Sequence, residues 1–190
     1  MCLSTDSEEY AAIGADIGAN IPFLRSPELS CDTASSIDVL LDAIDQLSFQ
    51  GEDFDVVILL EPTSPLRSDD SICKALEIVC SGRHTAAVSV CLAAKEHPAY
   101  MYSISSIHQT LEPFLSDFPT DLRRQDLEPV YFLDGNVYAS TITSLQKNRT
   151  FYHCDTAPVI SSVESSIEID SELDFMMAEA VYTKLFSNPL

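Results

Sequence analysis

Glu168 and Asp170 stand two residues apart in "SIEID", and on a strand that spacing sends both carboxylates from one face. Such a pair can hold Mg²⁺, which takes one or two protein carboxylates and fills its shell with water and phosphate oxygens. A solvated strand end is the plainer alternative on spacing alone. Adjacent Arg123 and Arg124 in "TDLRRQDLEPVY" offer guanidinium groups able to grip a carboxylate or phosphate; they equally suit charge balance with Asp121 and Asp126. Arg25, in "RSPELSCDTASS", precedes Ser36 at a helix start, where free N–H groups and a hydroxyl can meet a polar ligand or where the serines simply cap the helix. Phe151 and Tyr152 in "NRTFY" read as core or as ligand contacts. "LLEPTSPLR", residues 59 to 67, carries Glu61 and ends on Arg67.

The surrounding composition narrows the ligand. With 30 acidic and 10 basic residues the formal net charge is −20, which argues against nucleic acid and anionic membranes, since both require clustered Lys and Arg. No run approaches the ~18 apolar residues of a membrane span, and "MCLSTDSEEY" has no basic or apolar leader character; a cytoplasmic protein is expected. The five glycines form no G-x-x-x-x-G-K-[ST], G-x-G-x-x-G or G-x-S-x-G motif. Six cysteines without a C-x-x-C pair fit neither zinc nor a disulfide framework and are expected to be mostly buried thiols.

These side chains need a scaffold, and the periodicity supplies one. "DSEEYAAIGADIG", "SSIDVLLDAIDQLS", "SDDSICKALEIVCSG" and "SELDFMMAEAVYTKLF" read as helices, with Ser68 or Asp69 capping the third and Ser171 with Asp174 forming a capping box on the last. "DVVILLE" and "TAAVSVC" are continuous apolar runs of strand length, as in a sheet covered on both faces. "IPFLR" and "SSVESSIEID" are expected to be further strands. Residues from about 98 to 135, rich in aromatics and prolines, read as an insertion or hairpin arm. The alternation gives one α/β domain spanning 1–190.

Taken together, "STDSEE", "FLRSPELSCDTASS", "LLEPTSPLR", "AVSVC", "RRQDLEPVY", "GNVY" and "SIEIDSELDF" resemble the acylneuraminate cytidylyltransferases along nearly the whole chain. The resemblance implies a Rossmann-like nucleotide-diphospho-sugar transferase fold: a mostly parallel sheet, helices on both faces, and a dimerisation arm at about 98–135. It implies CTP and a nonulosonic acid as substrates, Mg²⁺ as cofactor, CMP-sugar and pyrophosphate as products, and a homodimer. By position, Arg25 and Ser36 correspond to nucleotide contacts and Glu168 and Asp170 to metal carboxylates, with Asp170, Glu168 and Arg124 carrying the chemistry. Glu61, Arg124, Gln125, Tyr138, Phe151 and Tyr152 correspond to the sugar pocket, Arg124 facing the sugar carboxylate; Arg67 is either a nucleotide contact or structural.

Some positions depart from the family pattern. The family usually has Gln at Glu61, Asn at Asp134, Asp at Glu168 and a basic residue near Phe132. It also opens with a strand and a phosphate-cradling loop, whereas this chain starts at what resembles the second strand. A βα unit, on the order of 30 residues, is expected to be missing, through truncation, a shifted start codon or a split gene whose separate N-terminal fragment carries the loop; the alternative is a noncatalytic binding and dimerisation module. A Kdo cytidylyltransferase is a third reading that "PTSPLR" and "IDSELD" fit less well.

Overall fold

A computed structural model describes residues 1–93, 97–115 and 123–186. Strand β1 (Val56–Leu59) and β2 (Ala86–Leu92) form where the continuous apolar runs predict them. Between them lies α3 (Asp69–Cys80), whose first turn is closed by Ser68 Oγ accepting from the amide of Ser71 at 3.2 Å. Earlier in the chain come α1 (Glu8–Asp16), capped by Ser7, and α2 (Ser36–Phe49), capped by Ser35.

The sheet departs from the expected pattern. Its order is β1, β5 (Tyr131–Thr141), β2, β6 (Thr156–Ile160). β5 runs antiparallel to both neighbours, and only β2 and β6 pair in parallel. The sheet is therefore mixed rather than mostly parallel. Residues 131–135, read as the end of an arm, instead begin the longest strand of the sheet. The rest of that region holds a separate exposed hairpin, β3 (Tyr102–Ile104) with β4 (Leu111–Pro113); residues 116–122 of the expected arm lie outside the described residues.

Helices cover both faces, as the two-sided apolar strands require. Ala75 and Val79 of α3 pack on Ala87, Val137, Ala139 and Val159, with Val56 and Ile58 against them. On the other face Ile37, Leu40, Leu41 and Ile44 of α2, together with Leu145 of α4 (Ile142–Asn148), meet Val57, Leu59, Val88 and Phe151. Successive residues of β1 thus enter opposite cores.

Two predicted strands are not strands. "IPFLR" forms no strand: a parallel bridge between Asn20 and Cys2 lies just before it, and at its end Arg25 N–H donates to Thr5 O at 2.8 Å. The "SSVESSIEID" stretch folds into a serine-rich turn and an extended loop leading to α5 (Glu172–Phe186). Five of the six cysteines are exposed and only Cys91 is buried, because α3 turns its apolar stripe to the sheet and leaves Cys73 and Cys80 outside. No helix among the described residues is long and apolar enough to cross a membrane.

The end of the sheet away from Glu61 is tied by a polar clasp. Asp155, just before β6, accepts from Thr85 N at 3.0 Å, from Thr85 Oγ1 at 2.7 Å and pairs with His84 Nδ1 at 3.1 Å. Ser144 of α4 joins it through Thr85 Oγ1 and His153 Nε2. The Thr85 hydroxyl first, then its amide and His84, hold the Asp155 carboxyl below its usual range. A depressed folded-state value stabilises above the unfolded value near 3.9 and is lost as pH falls through the folded one. Asp155→Asn is therefore expected to lower Tm at pH 7, with the gap to the native chain closing only below about pH 4 in thermal melts.

Candidate functional site

Past Leu59 the chain leaves β1 and enters the proline-bounded turn of "EPTSPLR". Arg67 stiffens it: Nη2 donates to the carbonyl of Glu61 at 2.7 Å, and Nε donates to the carbonyl of Asn136 in β5. The turn after β1 is thereby fastened to the neighbouring strand. A planar fork suits two separate acceptors as a single ammonium would not. Arg67 has this structural task in addition to any ligand contact.

Opposite the turn, β5 is interrupted. Val88 pairs with Tyr138 but Val90 pairs with Leu133, so residues 134 to 137 face the single residue Ser89. This is a large β-bulge, of the kind that re-aims side chains next to active sites. Within it Asp134, 1% exposed, accepts from the Asn136 amide and from Asn136 Nδ2, both at 3.2 Å. Asn136 Nδ2 also donates to Ser165 O at 2.7 Å, joining the bulge to the loop that follows β6. Gly135 has φ +70°, and a Cβ there would come 2.8 Å from Glu168 Oε1. The Glu168 carboxylate therefore lies directly on the glycine.

That loop returns past the turn after β1, with Ile169 N–H donating to Thr63 O at 2.8 Å and Thr63 Oγ1 reaching Glu168 Oε1 at 3.5 Å. Glu168 and Asp170 thus arrive on a loop braced by Thr63 and Gly135, not on one face of a strand. Tyr138 follows the bulge, its ring 5.5 Å from that of Phe151 and 6.3 Å from that of Tyr152, the latter pair nearly edge to face. Phe151 is buried in the core and Tyr152 is half exposed, so the adjacent aromatics divide between structure and surface.

The electrostatics are lopsided. Burial, then the neighbouring Glu168 carboxylate, push Glu61 above the usual carboxylate range; Arg67 opposes this and Asp170 adds to it. Burial and then the bond with Tyr152 push the Tyr138 phenol up, with Glu61 and Glu168 acting in the same sense. Arg67 faces both Glu61 and Asp134. The Asp170 carboxylate accepts no hydrogen bond among the described residues, and Glu168 has only the long one from Thr63. Hard oxygen donors with uncompensated charge suit a hard divalent cation, although no cluster of three or more ligating side chains with metal geometry occurs among the described residues.

The remaining predicted residues lie elsewhere. Arg25 follows the Asn20 bridge and pairs with Asp6 at 3.7 Å, while its Nε is buried without a partner among the described residues. Ser36 is the exposed first residue of α2. Gln125 is exposed in a short 3-10 turn over Arg124–Asp126; the Arg124 side chain is outside the described atoms. The sequence motifs do not mark Thr63, Gly135 and Asn136 as site residues, although a glycine inside a strand is itself a bulge signal.

The fold is that of an α/β protein in which acidic side chains and two tyrosines gather where β1 ends. No family model matches the chain. It is 34% identical over 185 residues to a CMP-N,N'-diacetyllegionaminic acid synthase of Legionella pneumophila, covering 93% of this chain and 75% of the relative. It is 32% identical over 174 residues to an N-acylneuraminate cytidylyltransferase of Streptococcus agalactiae, of which it spans 40%. A pseudaminic acid cytidylyltransferase of Campylobacter jejuni is 26% identical over 181 residues and is spanned to 76%. The chain belongs to the acylneuraminate cytidylyltransferase family, in which these legionaminic and pseudaminic acid enzymes are relatives.

Two outcomes follow. Gly135→Ala combines a left-handed backbone with a clash against Glu168; a loss of roughly 1–3 kcal/mol in urea unfolding is expected. For Glu61, whose folded value is raised, the carboxylate opposes folding above that value and ceases to below the unfolded value near 4.3. Glu61→Gln should therefore raise Tm at pH 7, with the gain vanishing below about pH 4 in melts across pH.

Proposed function

We propose that this chain acts as a nucleotidyltransferase, activating a nonulosonic acid with CTP to give the CMP-sugar and pyrophosphate. The observation that carries the reading is the convergence of Glu61, Glu168 and Asp170 with Tyr138 where β1 ends, in a chain of this family. The sugar's anomeric oxygen attacks the α-phosphorus of CTP; the new O–P bond forms as the bond to the pyrophosphate oxygen breaks, and the hydroxyl proton passes to solvent or a nearby base. Such transfers depend mainly on positioning and charge neutralisation.

Glu168 and Asp170 would hold a divalent cation, in practice Mg²⁺, which when bound supplies positive charge for the phosphoryl oxygens and the leaving pyrophosphate. Tyr138 and Tyr152 would form one wall of the sugar pocket over the buried ring of Phe151, with Glu61 reading its polar groups. Arg124 and Gln125 would close it, Arg124 on the sugar carboxylate. Arg25 and Ser36 would contact the nucleotide, a reading supported by the buried and unpartnered Nε of Arg25. In the assembled protein the exposed hairpin, which displays Tyr102, Ile104, Ile107, Leu111 and Phe114, would serve as the arm of a homodimer within a single Rossmann-like domain. Six free thiols and the use of CTP fit the reducing cytoplasm.

A second reading is favoured by one observation. Among the described residues β1 pairs only with β5, which leaves an apolar strand edge on which a separately supplied segment with a phosphate-binding loop can add. In that case the chain by itself is a binding and dimerisation module.

Purified chain with CTP, Mg²⁺ and a nonulosonic acid is expected to release pyrophosphate only when the sugar is present, and Asp170→Asn to slow release roughly 100- to 1000-fold. Release that needs an added N-terminal segment would favour the second reading. Pyrophosphate formed without sugar, or untouched by Asp170→Asn, would refute the assignment.

A further inference from the structure

"AVSVC" is among the stretches that carry the resemblance to the family, and it forms most of β2, beside the β5 bulge. Its central residue, Ser89, is 1% exposed in β2 and sits opposite the whole of the β5 bulge. In an uninterrupted antiparallel ladder the main-chain groups of one strand would take the N–H groups of the other. Here the ladder is broken, and the amide of Val137 donates to Ser89 Oγ at 2.8 Å. A side-chain oxygen has replaced a main-chain acceptor at the bulge's exit.

The location of that bond gives it a functional consequence. Gly135, two residues before Val137, is the floor on which the Glu168 carboxylate lies. Tyr138, the next residue, packs edge to face on Tyr152 and tilted against Phe151. The bulge's other ties, from Arg67 to the Asn136 carbonyl and from Asn136 to Asp134 and Ser165, hold its crest to the two loops. The tie to β2 at its exit is Ser89.

We infer that Ser89 is a positioning residue for the site: its hydroxyl sets the height of the β5 bulge, and so places Gly135 beneath Glu168 and Tyr138 beside the ligand. Where Glu168 holds a cation, the inference rests on the function proposed above; the placement of the bulge does not. Without the hydroxyl, the buried Val137 N–H has no partner, and the bulge must shift to find one.

The test compares Ser89→Ala and Ser89→Thr with the native chain, each first shown to be folded by circular dichroism and a cooperative melt. Hydrogen exchange of the 131–141 segment reads the bulge, and tyrosine-sensitised Tb³⁺ luminescence reads the carboxylates with a hard oxygen-seeking cation. Ser89→Ala is expected to exchange faster at residues 134 to 138 while residues 139 to 141 stay protected. It should also weaken Tb³⁺ roughly tenfold or more, the size of effect seen when a supporting partner of a metal ligand is lost. Ser89→Thr, which keeps the oxygen, should restore both. Native exchange at 134 to 138 in Ser89→Ala would overturn the inference, as would native Tb³⁺ affinity in a variant whose bulge had loosened. If the native chain binds no Tb³⁺, the metal reading fails, and exchange alone decides the role of Ser89.

Discussion

A main chain that leaves its ladder must find new partners for the groups it carries away, and in β5 four consecutive residues do this together. The solution is local and polar. Asp134 takes the amide of Asn136, Ser89 takes that of Val137, and Arg67 takes the carbonyl of Asn136. Because those partners come from β5 itself, from β2 and from the turn after β1, the bulge joins three parts of the sheet. The loop after β6 then settles on it through Ser165 and Gly135. A buried orphan amide costs about 1–3 kcal/mol, so these partners are what let the bulge exist in the interior, although Asn136 Oδ1 has none among the described residues.

The charge distribution follows from the same arrangement. In a chain with net charge −20, the half-buried guanidinium of Arg67 is directed at carbonyls and shared electrostatically between Glu61 and Asp134. Glu168 and Asp170 receive little of it. Asp38, Asp70 and Asp155 have cationic or hydrogen-bonding partners at the surface, whereas these two stand beside a partly desolvated Glu61.

Much of this was legible in the residues themselves, and the failures have physical causes. β1, β2 and the Ser68 cap could be read because continuous apolar runs and capping side chains are local signals. The family could be read from the order of several motifs. β5 was hidden because its central residues, Asp134, Gly135 and Asn136, are those that ordinarily end a strand, and only the bulge reconciles them with a buried position. "SSVESSIEID" alternates as a strand does, yet its serines bind their own main chain: Ser165 N–H donates to Ser162 Oγ, and Ser166 Oγ to Val163 O. Such local bonds compete with a ladder, and the chain turns. Glu168 and Asp170 were thus found as a pair for a reason that does not hold in the fold.

The place of β5 between β1 and β2 also bears on how the molecule is made. β1 and β2 are close in sequence and point the same way, but they never pair; each waits for a strand that begins at Tyr131. Long-range pairings of this kind form late and slow folding. A nascent chain that has left the ribosome only as far as the hairpin displays two apolar strands with open edges, the state most prone to aggregate. β5, whose bulge carries Gly135 and leads into Tyr138, is therefore also the strand whose arrival covers one edge of each, the other edge of β2 being taken later by β6.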